Sequence, residues 1–137
     1  MQQPIVQLVT AKVMTAQWGW CHLPLRMRYL PEDPLAVRLD FAVADATTPN
    51  GITWVFGRDL LATGLILPTG EGDVRVRPHG DSEIDVELIS ADDWCVVRTP
   101  SVGVRHFMAR TQTTRHRWRA LLDADLDRLL DDILRHA

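Results

Sequence analysis

The chain has 137 residues, which is enough for one domain with its own hydrophobic core and too few for two ordinary domains, so we expect a single domain spanning 1–137. Hydrophobic residues make up 46% and charged residues 24%, a composition typical of a globular protein and not of a disordered or fibrous one. The formal net charge of −3 excludes an overall positive field that would attract nucleic acid, so such binding would need a local patch.

The N-terminal segment shows no secretory signal. "MQQPIVQLVT" lacks the basic start and long apolar run of a signal peptide, and charged residues such as Lys12 and Arg26 interrupt every apolar stretch before it reaches membrane-spanning length. Cys21 and Cys95 are the only cysteines and form no CxxC pair, so a disulfide between them stays open but is not needed at this size. We expect a reduced, cytoplasmic protein without a transmembrane segment.

Apolar residues recur at every second position through three stretches of the first half, 23–29, 35–43 and 52–56. Charged residues such as Arg26 and Asp40 occupy positions between them. Period two over such lengths is typical of half-buried antiparallel strands. "YLPEDP" and "ATTPNG" supply the proline, asparagine and glycine of tight connections. We therefore predict an antiparallel sheet in this half.

The densest stretch of the chain is "TWVFGRDLLATGLILPTGEGDVRVRP", residues 53–78. A P-loop requires GxxxxGK[ST], but "PTGEGDV" has no lysine, and a dinucleotide fingerprint requires three glycines between a strand and a helix. Neither motif is present. We instead predict a short helix, "RDLLAT", that Gly64 ends in a left-handed conformation. A turn should follow, in which at least one of Gly70 and Gly72 has positive φ.

The sequence pattern in the second half of the chain predicts a hairpin, a further strand and a helix. Apolar positions alternate with charged ones at 74–77 and with acids at 84–88, and "HGDS" supplies the turn between them. "WCVVRT" is interpreted as the next strand. From Pro100, which suits a first helical turn, Val104, Phe107 and Met108 can share one helical face.

A separate C-terminal helix is predicted after Asp123, which suits an N-cap position. Its apolar residues fall at i, i+3, i+4, i+7 and i+8, namely Leu126, Leu129, Leu130, Ile133 and Leu134. This stripe can face the core, pack on another helix or join subunits. Strands followed by helices, without a βαβ rhythm, predict an α+β fold of antiparallel β-sheets with a short central helix and C-terminal helices.

Carboxylates are the first catalytic candidates. Asp59, Glu71 and Asp73 are close in sequence. Paired acids can perform general acid and base chemistry where burial separates their pKa values. However, Asp59 suits a helix N-terminus and Asp73 follows a turn, so solvated structural roles explain both. The five histidines lack zinc-ligand spacing, and no serine lies in a GxSxG elbow. We predict no catalytic residue, metal, cofactor or small-molecule substrate.

Two basic patches suggest an alternative function. Arg75 and Arg77 project from one strand face, and "RTQTTRHRWR", residues 110–119, surrounds Trp118 with arginines. Arginines beside an aromatic side chain suit a single nucleic-acid strand. Acids in the hairpin and the last helix offset this charge. Single-stranded nucleic-acid binding is therefore kept as the alternative and is not the favoured function.

Three stretches of the chain resemble the SsgA-like family of sporulation and cell-division proteins of filamentous actinomycetes. They are "RYLPEDPLAVRLDF" at 28–41, "WVFGRDLLATGLILPTGEGDVRVRP" at 54–78 and "FMART" at 107–111. The middle motif is the most specific, and the SsgB-like branch of the family is the most similar. "WGWC" and "RHRWR" depart from the family pattern, so the resemblance assigns no function to them.

The resemblance implies a non-enzymatic regulator that marks or activates the sporulation septum site and recruits the tubulin-like protein FtsZ. Other division-site proteins of the same family are further implied partners, and the implied location is cytoplasmic, at the division septum. The family fold is similar to Whirly-type single-stranded nucleic-acid-binding domains and forms trimers, so a homotrimer is implied. The acidic charge balance favours protein recruitment over nucleic-acid binding.

The resemblance also selects residues within the middle motif. Those that match are Trp54, Phe56, Arg58, Asp59, Leu60, Leu61, Gly64, Pro68, Gly70, Gly72, Asp73 and Val74. We expect Trp54 and Phe56 to share a buried strand face and the glycines to serve turns. The charged members Arg58, Asp59 and Asp73, together with Arg75, are the expected exposed partner contacts. Local capping and pairing of Arg58 and Asp59 is the alternative explanation.

Overall fold

Seven antiparallel strands form one sheet in a computed structural model, which describes residues 3–17, 19–41 and 51–135, with the side chains of 114–123 left out of the description. The strands are β1 (Ile5–Thr15), β2 (Gly19–Tyr29), β3 (Ala36–Phe41), β4 (Ile52–Gly57), β5 (Val74–His79), β6 (Glu83–Ile89) and β7 (Trp94–Pro100). Their spatial order is β4-β3-β2-β1-β7-β6-β5. Two helices accompany them, α1 (Arg58–Gly64) and α2 (Ser101–Arg135).

One face of the sheet carries the hydrophobic core. Directly paired residues of antiparallel strands project to the same side, so the pairing of Met27 with Leu39 and of Val86 with Val97 aligns their apolar positions across the sheet. Both helices contribute buried residues to this core, Leu61 from α1 and Phe107 from α2. This confirms the α+β class with an antiparallel sheet; the similarity to Whirly domains stays a prediction.

The period-two pattern located most strands correctly. The predicted stretches at 23–29, 35–43 and 52–56 correspond to β2, β3 and β4, although residues 42 and 43 lie outside the described part. β5, β6 and β7 are also confirmed. The strand missed by the sequence analysis is β1, which lies at the centre of the sheet between β2 and β7. Its buried Ile5, Ala11 and Val13 alternate with exposed residues, but Gln7 breaks the apolar run.

The predicted conformation of Gly64 is wrong, although glycine is required there. The positive-φ glycines of the described chain include Gly70, at φ 105°, but not Gly64, and the residue after Gly64 is right-handed. A Cβ atom added to Gly64 would lie 2.1 Å from Val76 Cγ1. Gly64 therefore permits the close approach of α1 to β5, whereas Gly70 supplies the predicted left-handed turn.

A single helix replaces the two C-terminal helices predicted from the sequence. α2 runs without interruption from Ser101 to Arg135, so Asp123 is an interior helical position and not an N-cap. No glycine or proline, the residues that most often interrupt a helix, follows Gly103 in the chain. Pro100 ends β7 just before the helix. The predicted shared face of Val104, Phe107 and Met108 is confirmed, since all three are buried.

Asp85 is a buried carboxylate on the sheet face opposite the core. It lies between the core residues Ile84 and Val86 in sequence, and it is 0% exposed. Arg98 donates two hydrogen bonds to it, from Nε at 2.7 Å and Nη2 at 3.0 Å. These hydrogen bonds raise the pKa of Arg98. The guanidinium of Arg98 also lies 4.5 Å from the ring centroid of Trp20, so the indole ring stacks on the arginine that binds Asp85.

Asp40 makes a second polar cluster on the same face, where Arg28, Thr53 and Arg26 donate hydrogen bonds to its carboxylate. Burial by itself raises the pKa of Asp40, but these hydrogen bonds outweigh it and lower the pKa from 3.8 to about 2. A carboxyl group whose pKa is lowered by folding stabilises the protein at pH values above its pKa in the unfolded chain. This stabilisation disappears as the pH falls through the pKa that the group has in the folded protein.

We therefore predict that acidification toward about pH 2 removes on the order of 1 kcal/mol of the free energy of unfolding through Asp40, a figure reduced for solvent screening because Arg26 is half exposed. Urea titrations of the wild type and Asp40→Asn between pH 7 and 2 measure this. The variant should be less stable at pH 7 and should lose less stability on acidification. An equal loss of stability on acidification in the wild type and the variant would contradict this role of Asp40.

A candidate partner-binding surface

The middle motif folds back on itself around α1 and β5. Gly64 contacts Val76, and the backbones of Thr69 and Val76 exchange two hydrogen bonds of 2.9 Å. These hydrogen bonds fix the turn after α1 to β5 at Thr69. The residues at the start of this turn face solvent. Ile66 is 78% exposed and Leu67 is 51% exposed. Large apolar side chains exposed side by side on a held turn are a feature of protein contact sites.

The expected exposure of Arg58 is wrong. Its side chain is buried, with Nε donating to Thr111 Oγ1 at 2.9 Å and Nη2 donating to Gln112 Oε1 at 3.0 Å. Nη2 also approaches the carbonyl oxygen of Met108 at 3.4 Å. All three acceptors belong to α2. Arg58 therefore joins the two helices, and in the folded chain it is not available to a partner.

The other three predicted contact residues are exposed. The carboxylate of Asp59 is 85% exposed and lies 3.8 Å from Arg58 Nη1. Asp73 is exposed, while its carbonyl oxygen accepts a hydrogen bond from the backbone of Ile89. Arg75 lines an open polar depression of about 400 Å³ together with Glu71. Asp59 and Asp73 do not line this depression, so the structure does not unite the predicted residues in one pocket.

Ile66 and Leu67 are absent from the predicted contact residues because those were chosen among charged side chains. In the structure these residues follow α1 in a turn, and only Thr69 forms an isolated bridge to β5. The available signal was the length of the run, since the apolar residues between Gly64 and Pro68 reach only the lower limit of strand length, below the usual five or six. We define the motif surface as the exposed residues Asp59, Ile66, Leu67, Glu71, Asp73 and Arg75.

The acids of the motif surface, Asp59, Glu71 and Asp73, are all exposed. Among the residues that the structure describes, no group of three or more His, Cys, Asp or Glu side chains could hold a metal ion.

The basic patches are partly neutralised by contacts within the chain. Arg77 lies 2.8 Å from Glu87 and 3.9 Å from Asp85. Arg110 donates hydrogen bonds to the carbonyl oxygen of Val6 and to Gln7. The side chains of the remaining arginines of "RTQTTRHRWR" lie outside the described residues. Within the described ranges, no helix is long and apolar enough to span a membrane.

Comparisons with known proteins agree with the motif. The family described as Streptomyces sporulation and cell division protein, SsgA, matches residues 23–116. The sporulation-specific cell division protein SsgB of Streptomyces coelicolor is 38% identical over 120 residues, which is 82% of each chain. The SsgB homologue of Salinispora tropica is 36% identical over 118 residues, covering 82% of this chain and 81% of its own.

A solved SsgA-like sporulation-specific cell division protein from Thermobifida fusca superposes with a TM-score of 0.72 at 26% identity, covering 92% of this chain and 95% of its own. These names support a role in cell division, and the similar fold confirms the resemblance found in the motif. The chain belongs to the SsgA family of Streptomyces sporulation and cell division proteins.

Proposed function

We propose that the protein is a non-enzymatic cell-division regulator that marks or activates the sporulation septum site and recruits FtsZ. It acts in the cytoplasm at the division septum, together with other division-site proteins of its family. The motif surface is the proposed contact site. The observation that carries this proposal is the pair Ile66 and Leu67, which are 78% and 51% exposed within the segment most characteristic of the family.

Charged residues of the same segment would contribute to the specificity of the contact. Asp59, Asp73 and Arg75 are exposed and carry charges of both signs. Arg58 supports the same surface from within, because it fixes α1 against α2. We assign the contact to the exposed residues and a positioning role to Arg58.

We further propose that the protein works as a homo-oligomer, specifically a trimer. A filament-forming partner offers many copies of one binding site. Once one subunit has bound, the next binds at high effective concentration, so weak contacts at each motif surface give strong overall attachment. The exposed apolar residues at the end of α2, such as Leu129 and Ile133, support self-association because a monomer leaves them in water.

Ile66→Asp should weaken FtsZ co-sedimentation at least about tenfold, since it places a charge at the centre of the apolar contact. Its effect on the free energy of unfolding should stay within about 0.5 kcal/mol because the side chain is exposed. Val102→Asp is the matched control, as Val102 is a similarly exposed β-branched residue outside the motif. Equal recruitment by both variants would contradict the proposed site.

The alternative, single-stranded nucleic-acid binding, is tested beside it. Titration of a labelled single-stranded DNA at increasing salt should show no binding in the range where FtsZ is recruited, because salt-sensitive binding requires a net positive groove. Tight, salt-dependent DNA binding without an effect on FtsZ assembly would favour the alternative function.

A further inference from the structure

The two edge strands of the sheet, β4 and β5, differ in how their outward backbone groups are satisfied. On β5, Val76 exchanges two backbone hydrogen bonds with Thr69, and Pro78 has no N–H group. Arg75 and Arg77 add charge to the same strand. A covering segment, proline and charged side chains are means by which proteins keep an edge strand from pairing with another chain. β5 is therefore a protected edge.

β4 is an open edge in the described part of the chain. Its sequence, ITWVFG, contains neither a charged residue nor a proline. One position beyond its ladder with β3, the backbone N–H of Arg58 donates to the carbonyl oxygen of Leu35 at 2.8 Å. Hydrogen-bonded and non-hydrogen-bonded pairs alternate along an antiparallel ladder, so the backbone groups of Thr53, Val55 and Gly57 point away from the sheet. The backbone hydrogen bonds among the described residues include none from these outward groups.

The outward side of β4 is also accessible to solvent. Thr53, Val55 and Gly57 are all exposed, Val55 to 52%. A Cβ atom added to Gly57 would meet nothing within 4 Å, so α1, which begins at the next residue, does not crowd this end of the strand. Backbone donors and acceptors that alternate at strand spacing are matched by another extended backbone. The geometry of this edge therefore fits an added β-strand.

An apolar cavity of about 360 Å³ opens beside β4 on the core side of the sheet. Ile52 and Trp54 of β4 form the wall nearest the edge, and Phe41, Leu23 and Val13 continue the lining across β3, β2 and β1. None of the described residues that line the cavity is charged. Because side chains alternate along a strand, a segment added beside β4 directs every second side chain to this face. Its inward side chains would lie beside Ile52 and Trp54, at the cavity.

A second copy of this chain does not fill the cavity. The outward groups of β4 are centred on Val55, and pairing two copies about this residue would set Phe56 of the copy beside Trp54. Phe56 is 8% exposed and packs in its own core, so it cannot enter the cavity of a neighbour. The position beside Ile52 would be Arg58, which is buried at the start of α1. The cavity instead requires a segment whose side chains are not held in a core.

We propose that β4 accepts an extended segment of another protein as an additional strand of the sheet, with a large apolar side chain of that segment seated in the cavity. Backbone hydrogen bonds to Thr53, Val55 and Gly57 hold the segment, and the uncharged lining of the cavity selects its inward side chains. This contact goes beyond the proposed function, because it lies on a different edge of the fold from the motif surface and does not depend on FtsZ as the partner.

Fluorescence anisotropy with the full chain and labelled synthetic peptides tests the proposal. The probe is a short peptide in which leucine alternates with threonine, so that the leucines face the cavity. Residues paired through hydrogen bonds project to the same side, and Val55 projects away from the core, so the threonine N–H groups are the ones that face β4. N-methylation of the threonines should weaken binding at least about tenfold, whereas N-methylation of the leucines should change it by no more than about twofold.

Val55→Pro tests the same contact from the side of the protein. Proline removes the outward N–H group and is tolerated in an edge strand where that group faces solvent. The variant should bind the unmodified peptide at least about tenfold more weakly. Val55→Thr, which keeps the N–H group and the β-branch, is the matched control and should bind within about twofold of the wild type. Ile66→Asp should also bind the peptide like the wild type, because the motif surface is a separate site.

Four results would overturn the proposal. Absence of binding at peptide concentrations up to about 1 mM would remove the added strand altogether. Equal binding of the two N-methylated peptides would show that the backbone of the segment does not pair with β4. Undiminished binding by folded Val55→Pro would place the contact elsewhere. An oligomer of the wild type that Val55→Pro alone dissociates would show that a second copy occupies this edge. The comparison of the two N-methylated peptides uses the wild type only, so it stands even where circular dichroism shows Val55→Pro to be unfolded.

Discussion

Replacing Arg58 with alanine is expected to lower the free energy of unfolding by about 3 kcal/mol, because a buried guanidinium that holds two helices together is lost. Arg58 is 6% exposed and donates hydrogen bonds to Thr111 and Gln112 of α2. Arg58→Lys should recover less than half of the loss, since an ammonium group cannot reproduce the forked geometry of arginine. Urea denaturation followed by circular dichroism measures both variants.

Asp59→Ala is the matched control, since Asp59 is the next residue and its carboxylate is 85% exposed. It should change the free energy of unfolding by no more than about 0.5 kcal/mol. FtsZ recruitment distinguishes positioning from direct contact. At a temperature where Arg58→Ala is folded, recruitment should be weakened but not abolished, whereas a direct contact role would abolish recruitment without loss of stability. Equal stability of Arg58→Ala and the wild type would refute the helix-joining role.

Gly64→Ala should cost about 2–3 kcal/mol through overpacking where α1 meets β5. An added Cβ atom would lie 2.1 Å from Val76 Cγ1 and 2.4 Å from Val76 Cβ. The backbone carbonyl carbon of Val76, at 3.1 Å, limits how far the strand can yield. The physical cause is this contact and not backbone strain, since Gly64 lacks positive φ.

The cause can be tested with a double-mutant cycle. Gly64→Ala should cost less in a Val76→Ala background, because the Cγ1 contact is then absent, although the Cβ contact remains. Gly72→Ala is the control, since nothing lies within 4 Å of its added Cβ atom and the backbone is not left-handed. It should be neutral to within about 0.5 kcal/mol. Equal costs of Gly64→Ala in both backgrounds would contradict the contact with Val76.

The candidate surface was only partly predictable. The exposure of Asp59, Asp73 and Arg75 followed from their places at a helix start, a turn and a charged strand face. Ile66 and Leu67 were missed because the expected contacts were chosen among charged residues, and only the folded chain shows that these two apolar side chains are uncovered. Arg58 was assigned to solvent because charged residues are seldom fully buried without partners. Its partners lie 53 and 54 residues away, beyond the reach of any local pattern.

The sequence by itself determined the type of most elements and, for the strands that it located, which side chains face the core. Alternation in residues 23–29 and the apolar face of Val104, Phe107 and Met108 follow from the fixed periods of strand and helix, so both could be inferred from single segments. Only the tertiary structure decided the burial of Arg58 and Asp85 and the requirement for glycine at position 64. These properties arise where segments distant in sequence meet, and a periodic pattern describes one segment without its neighbours.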